Sequence, residues 1–274
     1  MCGIIGYIGT QPAIPILLEG LKRLEYRGYD SCGIAALGDE APLFIKTQGK
    51  IANLQGRLND VTSRATMGIG HTRWATHGRP NEANAHPHTD CRQKVFLIHN
   101  GIIENYALLQ RDLVRKGHSF TSETDTEVLA HLIEDLYQGD ILQAVARAIE
   151  RVTGTFGLAA FHADEPDRIV LARRGSPLVI GVGKGEMLAA SDVSAILRHT
   201  DQVIYLDDNE IALIRRDDFR ILSLSREEVA REPETVEWHA VDTEKNGFPH
   251  YMLKEIFEQP ETVVNAIRGR ILPE

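Results

Sequence analysis

The second residue of the chain is a cysteine that could act as a nucleophile. If Met1 is removed, Cys2 carries both a thiol and a free α-amine. An ordinary α-amine has a pKa of about 7.7–8.0 and an ordinary thiol about 8.5, so the amine can take the thiol proton near neutral pH. Nucleophile and general base would then share one residue, as in N-terminal threonine enzymes. The alternative is that Cys2 is a small buried hydrophobic residue, because free cysteine is commonly buried and inert.

Other residues suit an amide substrate that resembles glutamine. Asn100 and Gly101 come at the end of a predicted strand, and a side-chain amide with a backbone N–H can stabilise a tetrahedral oxyanion. Arg73 can bind an α-carboxylate through two parallel hydrogen bonds, and Asp125 can bind an α-ammonium. Simpler interpretations remain open at this point. They are an Asn-Gly turn, a surface ion pair at Arg73, and a capping box from Ser122 to Asp125.

Histidines and a cysteine are concentrated between residues 71 and 99, which suggests a metal site as a competing function. The residues concerned are His71, His77, His86, His88, Cys91 and His99. Of these, His86, His88 and Cys91 could supply three ligands to zinc. Their spacing matches no standard zinc pattern, however. We therefore expect no metal and no cofactor.

Composition places the chain among ordinary globular proteins and excludes some partners. It has 274 residues, of which 43% are hydrophobic and 25% charged, and its formal net charge is −9. An acidic chain lacks the basic face that nucleic acid requires, and no apolar run reaches the roughly 18 residues of a membrane span. Three widely spaced cysteines imply no disulfide framework. With no signal peptide recognised, we expect a cytoplasmic protein with neither nucleic-acid nor membrane partners.

The hydrophobic pattern predicts an α+β domain built on antiparallel sheets. The predicted helices are 12–25, 104–116, 124–137, 140–151 and 192–198. The predicted strands are 3–9, 32–38, 43–48, 94–98, 155–162, 168–173, 178–182, 187–190, 202–206, 210–215 and 219–224. Residues 225–248 are polar and without clear period, so they are predicted to be a linker.

Five motifs in order along the chain resemble those of one enzyme family. They are Met1–Ile4, Tyr26–Ser31, His71–Gly78, His99–Gly101 and Ser122–Glu127. Together they resemble the class II glutamine amidotransferases and, more narrowly, the glutaminase half of the isomerizing glutamine–fructose-6-phosphate aminotransferases. The Tyr-Arg-Gly-Tyr-Asp-Ser sequence of the second motif separates this group from the asparagine synthetase and phosphoribosylamine-forming relatives.

The resemblance implies a fold and a reaction. The fold is that of the N-terminal nucleophile hydrolases, a four-layer αββα sandwich with two antiparallel sheets, here over residues 2–224. The reaction is hydrolysis of L-glutamine to glutamate and ammonia through a thioester on Cys2, with the α-amine as base. In the whole family protein the ammonia passes to fructose 6-phosphate and gives glucosamine 6-phosphate, a step of amino-sugar biosynthesis.

The same resemblance assigns the central residues of the site. Cys2 would be the nucleophile, with Asn100 and Gly101 as the oxyanion hole. Arg73 and Asp125 would bind the α-carboxylate and α-ammonium of glutamine. No metal or cofactor is implied.

Four more residues receive supporting roles from the resemblance. Thr76 and His77 would help to bind the substrate, Arg27 would lie near the nucleophile, and Trp74 would gate the ammonia. The alternative function is a non-catalytic glutamine-binding or docking module, which a retained Met1 would produce.

The end of the chain resembles the opening of the family's sugar isomerase half. The similar stretch is His250–Pro260, within predicted helices over residues 249–274. Two apolar stripes lie there, on either side of Pro260, with no domain following them. We expect them to pack against the missing isomerase half, which binds fructose 6-phosphate, or to form a homodimer.

Overall fold

The structure, a computed structural model, describes residues 2–38, 41–75, 78–237 and 247–267. The chain divides into two compact units, Met1–Glu237 and Trp238–Glu274. The first unit contains all the strands and five of the helices found among the described residues. The second contains one helix.

The strands, in chain order, are β1 (Gly3–Ile8), β2 (Ser31–Leu37), β3 (Leu43–Gln48), β4 (Met67–Arg73), β5 (His88–Thr89), β6 (Val95–Ile103), β7 (Gly154–His162), β8 (Ile169–Arg174), β9 (Val179–Val182), β10 (Met187–Ala190), β11 (Gln202–Tyr205), β12 (Glu210–Ile214), β13 (Phe219–Ser223) and β14 (Glu234–Thr235). The helices are α1 (Ala13–Leu24), α2 (Ile51–Leu58), α3 (Tyr106–Arg115), α4 (Asp125–Leu136), α5 (Ile141–Glu150) and α6 (Tyr251–Ile267).

These strands form two antiparallel sheets. The first has eight strands in the order β14-β11-β9-β10-β1-β4-β2-β3, and the second has six in the order β13-β12-β8-β7-β6-β5. Alternate residues of a strand point to opposite faces, so each sheet can bury both faces. In β6, Val95 and Leu97 pack with the helices, while Phe96 and Ile98 pack with the other sheet.

Three hydrophobic clusters hold the layers together by removing apolar surface from water. The middle cluster lies between the sheets and joins Ile4 and Ile69 to Phe96 and Phe161. A second cluster packs α1 and α2 on the outer face of the eight-stranded sheet. The third packs α3, α4 and α5 on the outer face of the six-stranded sheet. The expected αββα sandwich is therefore confirmed.

Strand β6 is longer than the pattern predicts, and this changes the local setting of the site. The prediction ended the strand at residue 98, whereas β6 continues to Ile103 and pairs with β7 throughout. Gly101 lies inside the strand with φ of +138°, and a Cβ there would come within 2.1 Å of the Thr155 carbonyl oxygen. The Asn-Gly pair is therefore part of a paired strand and not a turn, because the strand partner overrides the local preference.

The start of α4 also differs from the predicted capping box. Thr124 is the N-cap, and its hydroxyl accepts a hydrogen bond from the Glu127 N–H at 3.4 Å. The Glu127 carboxylate in turn accepts hydrogen bonds from the N–H groups of Thr121 and Ser122. The cap therefore begins two residues later than the predicted Ser122–Asp125 pair, and Asp125 becomes the first residue of the helix.

Three further elements differ from the predicted pattern. The prediction omits α2, where Ile51, Leu54 and Leu58 are buried on one face. The predicted helix 192–198 is a single 3-10 turn at Val193–Ala195. Within the predicted linker, β14 pairs with β11, and residues 238–246 lie outside the described residues.

Helix α6 presents exposed apolar residues and continues through Pro260. The exposed residues are Met252, Ile256, Phe257, Val263 and Val264. None of the helices formed by the described residues has the length and apolar character required to cross a membrane.

Candidate active site

The sheet pairing places Cys2 beside the end of β4. Strands β1 and β4 are antiparallel with Gly3 opposite Thr72, so the chain start meets the Arg73–Trp74 segment. The Cys2 thiol accepts a hydrogen bond from the Trp74 N–H at 3.1 Å, and its Sγ lies 3.6 Å from the Trp74 carbonyl oxygen. Backbone groups therefore fix the position of the sulfur.

A cavity of about 500 Å³ opens at this point. It is lined by Cys2, Arg27, Arg73, Trp74, His86, His99, Asn100, Gly101, Ile102, Thr124, Asp125, Thr126, Thr155, Ser176 and Pro177. The walls come from both sheets and from the start of α4, so the site forms only when the sandwich is assembled. Its size suits a small-molecule ligand.

Asn100 connects the two sheets at the floor of the cavity. Its amide oxygen lies 2.9 Å from His71 Nε2 on β4, and its amide nitrogen donates to the Cys2 carbonyl oxygen at 3.2 Å. An amide has one accepting and one donating end. The contact with His71 therefore turns the N–H₂ of Asn100 toward Cys2.

Four buried histidines surround this contact, and burial lowers the pKa of each. His71 stacks on His86 at 4.2 Å between ring centroids, and His86 meets His88 edge to face. Burial lowers the pKa of His71 to about 3 and holds the pKa values of His86 and His88 well below 6.5. The pKa of His99 is also lowered by burial. These rings are consequently neutral at pH 7 and weak as bases.

Burial has the opposite effect on Cys2, because the thiolate is the charged form. The pKa of the Cys2 thiol is raised, although the Trp74 N–H and the nearby Arg73 partly oppose the shift. A raised thiol pKa means that the sulfur needs a base to become nucleophilic.

Asp30 supports the segment that carries Arg73. Its carboxylate accepts the Ala75 N–H at 2.5 Å and the Ser31 hydroxyl at 2.9 Å, while its own N–H donates to the Arg73 carbonyl oxygen at 2.7 Å. The Arg73 guanidinium lies 3.4 Å from the Arg79 carbonyl oxygen. Asp30 is thus a positioning residue for the cavity wall.

Asp125 is held at the start of α4 with its carboxylate on the cavity. It is 4% exposed, and one of its oxygens accepts the Ile103 N–H at 2.7 Å. The neighbouring Thr126 hydroxyl lies 2.9 Å from His99 Nδ1. The helix start and β6 are therefore tied together next to Gly101.

Arg27 and Trp74 form the outer wall of the cavity. Arg27 pairs with Asp192 at 2.6 Å between guanidinium nitrogen and carboxylate oxygen. The Trp74 side chain is 55% exposed, and its ring lies so close to Gly28 that a Cβ there would come within 2.4 Å. Gly28 has φ of +85°, which favours glycine on conformational grounds as well.

Of the residues that the sequence analysis singled out, the structure brings seven together around the cavity: Cys2, Arg27, Arg73, Trp74, Asn100, Gly101 and Asp125. Thr76 and His77 lie outside the described residues. Sequence reasoning missed the cavity residues Thr155, Ser176 and Pro177. Thr155 could have been identified only from the pairing of β6 with β7, because it lies opposite Ile102 in that pair of strands.

The three residues weighed as possible zinc ligands, His86, His88 and Cys91, do not form a cluster among the described residues. His86 and His88 belong to the buried histidine stack, where His88 Nε2 lies 2.9 Å from the Thr124 hydroxyl. Cys91 instead faces His118 and His131. His86 precedes strand β5, His88 is its first residue and Cys91 follows it, so the three residues do not share one local element.

The chain is similar to known glutamine amidotransferases. Residues 71–198 match a family model described as a glutamine amidotransferase domain. A glutamine–fructose-6-phosphate aminotransferase (isomerizing) of Thermococcus kodakarensis is 49% identical over 272 residues, which are 98% of this chain and 45% of that protein. Its counterpart in Clostridium tetani is 46% identical over 272 residues, covering 99% of this chain and 45% of that protein.

Solved structures share the fold. The glutamine phosphoribosylpyrophosphate amidotransferase of B. subtilis has a TM-score of 0.71 at 26% identity, covering 83% of this chain and 50% of that one. A glutamine aminotransferase class-II domain protein from Silicibacter pomeroyi has a TM-score of 0.55 at 16% identity, covering 81% of this chain and 99% of that one. The latter supports the fold alone.

The family-model match shows that the chain contains a domain of the glutamine amidotransferase family. Within that family it corresponds to the glutaminase half of the glutamine–fructose-6-phosphate aminotransferases. The chain spans less than half the length of these curated relatives.

Proposed function

We propose that the chain hydrolyses L-glutamine to glutamate and ammonia through a thioester on Cys2. The observation that carries the proposal is the convergence of Cys2, Asn100, Arg73 and Asp125 on one cavity of about 500 Å³. A nucleophile, an oxyanion donor, a cation and a carboxylate are the groups that an amide-bearing amino acid requires.

The base for Cys2 is its own α-amine after removal of Met1. Burial raises the thiol pKa, so the proton must be taken by a nearby group. The histidines at the site are poor candidates because burial lowers their pKa values, that of His71 to about 3. The α-amine has an ordinary pKa of about 7.7–8.0 and lies three covalent bonds from the sulfur.

The reaction then proceeds in two acyl-transfer steps. The thiolate attacks the amide carbon of glutamine, and a tetrahedral oxyanion forms that Asn100 Nδ2–H and Gly101 N–H stabilise. Collapse breaks the C–N bond as the α-ammonium returns its proton to the amide nitrogen, which leaves as ammonia. Water attacks the thioester in the second step, releases glutamate and restores the thiol.

Arg73 and Asp125 bind the other end of the substrate. The guanidinium suits the α-carboxylate, and the Asp125 carboxylate suits the α-ammonium. Thr76 and His77, three and four positions after Arg73 in the sequence, would help to bind the substrate in this proposal. Arg27 borders the cavity, and its ion pair with Asp192 keeps the outer wall in place.

In the whole protein, we propose that the ammonia passes to fructose 6-phosphate in a sugar isomerase half and gives glucosamine 6-phosphate. The curated relatives carry that acceptor in their names and are more than twice as long as this chain. Trp74, exposed on the cavity wall, would gate the ammonia. The apolar residues of α6 would pack on the isomerase half or on a second copy of the chain.

The test is glutamate release from glutamine, measured together with the intact mass of the same sample. We expect release from chains that lack Met1, none from Cys2→Ala, and near-normal release from Cys32→Ala, which removes a thiol from the core. Activity that persists in Cys2→Ala contradicts the proposal. Glutamine binding without turnover, in chains that retain Met1, would instead identify a binding module.

A further inference from the structure

We propose that Cys91, His118, His131 and Glu134 form a structural zinc site separate from the glutamine cavity. None of the four lines that cavity. Their ligand atoms all lie within 4.8 Å of one another, and no other such group occurs among the described residues. The site is also distinct from the zinc set that the sequence suggested, with which it shares only Cys91.

The distances between ligand atoms match those of a tetrahedral zinc centre. With Zn–N of about 2.0–2.1 Å and Zn–S of about 2.3 Å, two nitrogens lie about 3.4 Å apart and a sulfur and a nitrogen about 3.6 Å apart. In the structure His118 Nδ1 and His131 Nδ1 are 3.4 Å apart. Cys91 Sγ is 3.8 Å from His118 Nδ1 and 3.5 Å from His131 Nδ1.

Glu134 offers the fourth ligand. Glu134 Oε2 lies 3.1 Å from His118 Nδ1 and 3.6 Å from His131 Nδ1. Its position is fixed by the Cys91 N–H, which donates to the same oxygen at 3.3 Å, while the Ser119 N–H lies 3.5 Å from the sulfur. One thiolate, two imidazoles and one carboxylate form a ligand set that suits zinc.

The far nitrogens of both histidines face carboxylates, one of the kinds of group that zinc-bound histidines commonly contact through their second ring nitrogen. His131 Nε2 is buried without a hydrogen bond among the described residues and lies 3.6 Å from Glu127 Oε1. His118 Nε2 lies 4.0 Å from Asp135 Oδ1. Each ring therefore has Nδ1 toward the centre of the cluster and Nε2 on the side of a carboxylate.

Four protein ligands leave no open position, so the site is structural and not catalytic. Cys91 belongs to the segment between β5 and β6, His118 to the connection between α3 and α4, and the other two ligands to α4. Zinc would therefore join three segments that are distant in sequence. One of them is the helix whose first residue, Asp125, borders the glutamine cavity.

Metal analysis of the purified chain tests the proposal directly. We expect about one equivalent of zinc to remain after dialysis, and we expect chelation to lower the Tm and zinc to restore it, since a ligand of the folded state stabilises it. Cobalt(II) is the second probe, because a thiolate ligand gives it a near-ultraviolet charge-transfer band. Zinc lost on dialysis with an unchanged Tm would mean adventitious binding and would overturn the proposal.

Variants locate the site. Cys91→Ser should abolish the cobalt thiolate band, while Cys2→Ala, which removes the other thiol near histidines, should retain both the band and the zinc. Glu134→Gln, which preserves shape, should weaken zinc binding at least about tenfold, as loss of ligand support does elsewhere. A band that survives Cys91→Ser and disappears in Cys2→Ala would overturn the assignment. If Cys91→Ser does not fold, Glu134→Gln and the wild-type spectrum decide the question.

Discussion

His71 on β4 and Asn100 on β6 join the two sheets through a contact of 2.9 Å between imidazole Nε2 and amide oxygen. His71 is fully buried, and burial lowers its pKa to about 3, so the ring is neutral and its Nε2–H donates to the amide. This contact decides which end of the Asn100 amide faces Cys2. An oxyanion donor is effective only if its N–H points to the developing charge.

Replacing His71 should therefore impair catalysis more than binding. Asn100→Ala is expected to lower kcat by about 10²–10³-fold, the usual loss for one oxyanion donor. His71→Leu should lower kcat by a smaller factor with KM nearly unchanged, because the amide can then rotate. His71→Gln, whose own amide can donate to Asn100, should recover part of the loss. Steady-state glutamate release measures kcat and KM for the three variants. Equal kcat for His71→Leu and His71→Gln would exclude a role for His71 in orienting the Asn100 amide.

Arg73→Lys tests the carboxylate anchor while keeping the charge. Lysine lacks the planar fork that binds a carboxylate through two hydrogen bonds, so KM for glutamine should rise. Arg73→Ala should raise KM further, and in both variants kcat should change less than KM. A variant with unchanged KM and a lowered kcat would assign Arg73 to the chemical step instead. The measurement is glutamate release over a range of glutamine concentrations.

Asp125→Asn removes the negative charge but keeps an oxygen for the Ile103 N–H. A hydrogen bond to a charged group contributes about 1.5–3 kcal/mol, so we expect KM to rise by roughly 10- to 150-fold. The retained backbone contact predicts a Tm close to that of the wild type. If Asp125→Asn folds normally and its KM for glutamine equals that of the wild type, Asp125 does not bind the α-ammonium.

The residue types of the site were predictable, but the secondary structure that holds Asn100 and Gly101 was not. Cys2, Arg73, Asn100 and Asp125 were recognisable because each has chemistry suited to one part of glutamine. The Asn-Gly pair was assigned to a strand end, since that dipeptide favours a turn in isolation. Its place inside β6 depends on β7, a partner strand that begins at Gly154. Pairing between distant strands is not visible in a local pattern.

The metal cluster was missed for a similar reason. Cys91 and His118 are 27 positions apart, and His118 and His131 are 13 apart, so no short motif contains them. Only His131 and Glu134 lie at helical spacing. In contrast, α4 and α5 were predicted almost to the residue, because apolar periodicity is a local signal.

The buried histidines predict that the protein loses stability in mild acid. The pKa values of His71, His86, His88 and His99 lie below the ordinary value of about 6.5. Above pH 6.5 these rings are neutral in both states, so the full stability is present. Below it the unfolded chain binds protons that the folded chain excludes, so the free energy of unfolding falls by up to about 1.4 kcal/mol per pH unit for each ring that stays neutral in the folded state.

Urea unfolding between about pH 6.5 and 5.3, above the range where most carboxylates titrate, measures this slope. His71→Gln removes one of the rings and should reduce the slope by about one proton, because the folded His71 does not titrate until about pH 3. His71→Gln is also the variant expected to keep a hydrogen bond to Asn100, so one preparation serves both the kinetic and the unfolding experiments. A slope identical to that of the wild type would show that His71 takes up protons in the folded protein as readily as in the unfolded chain, and the neutral donor assigned to it would then be wrong.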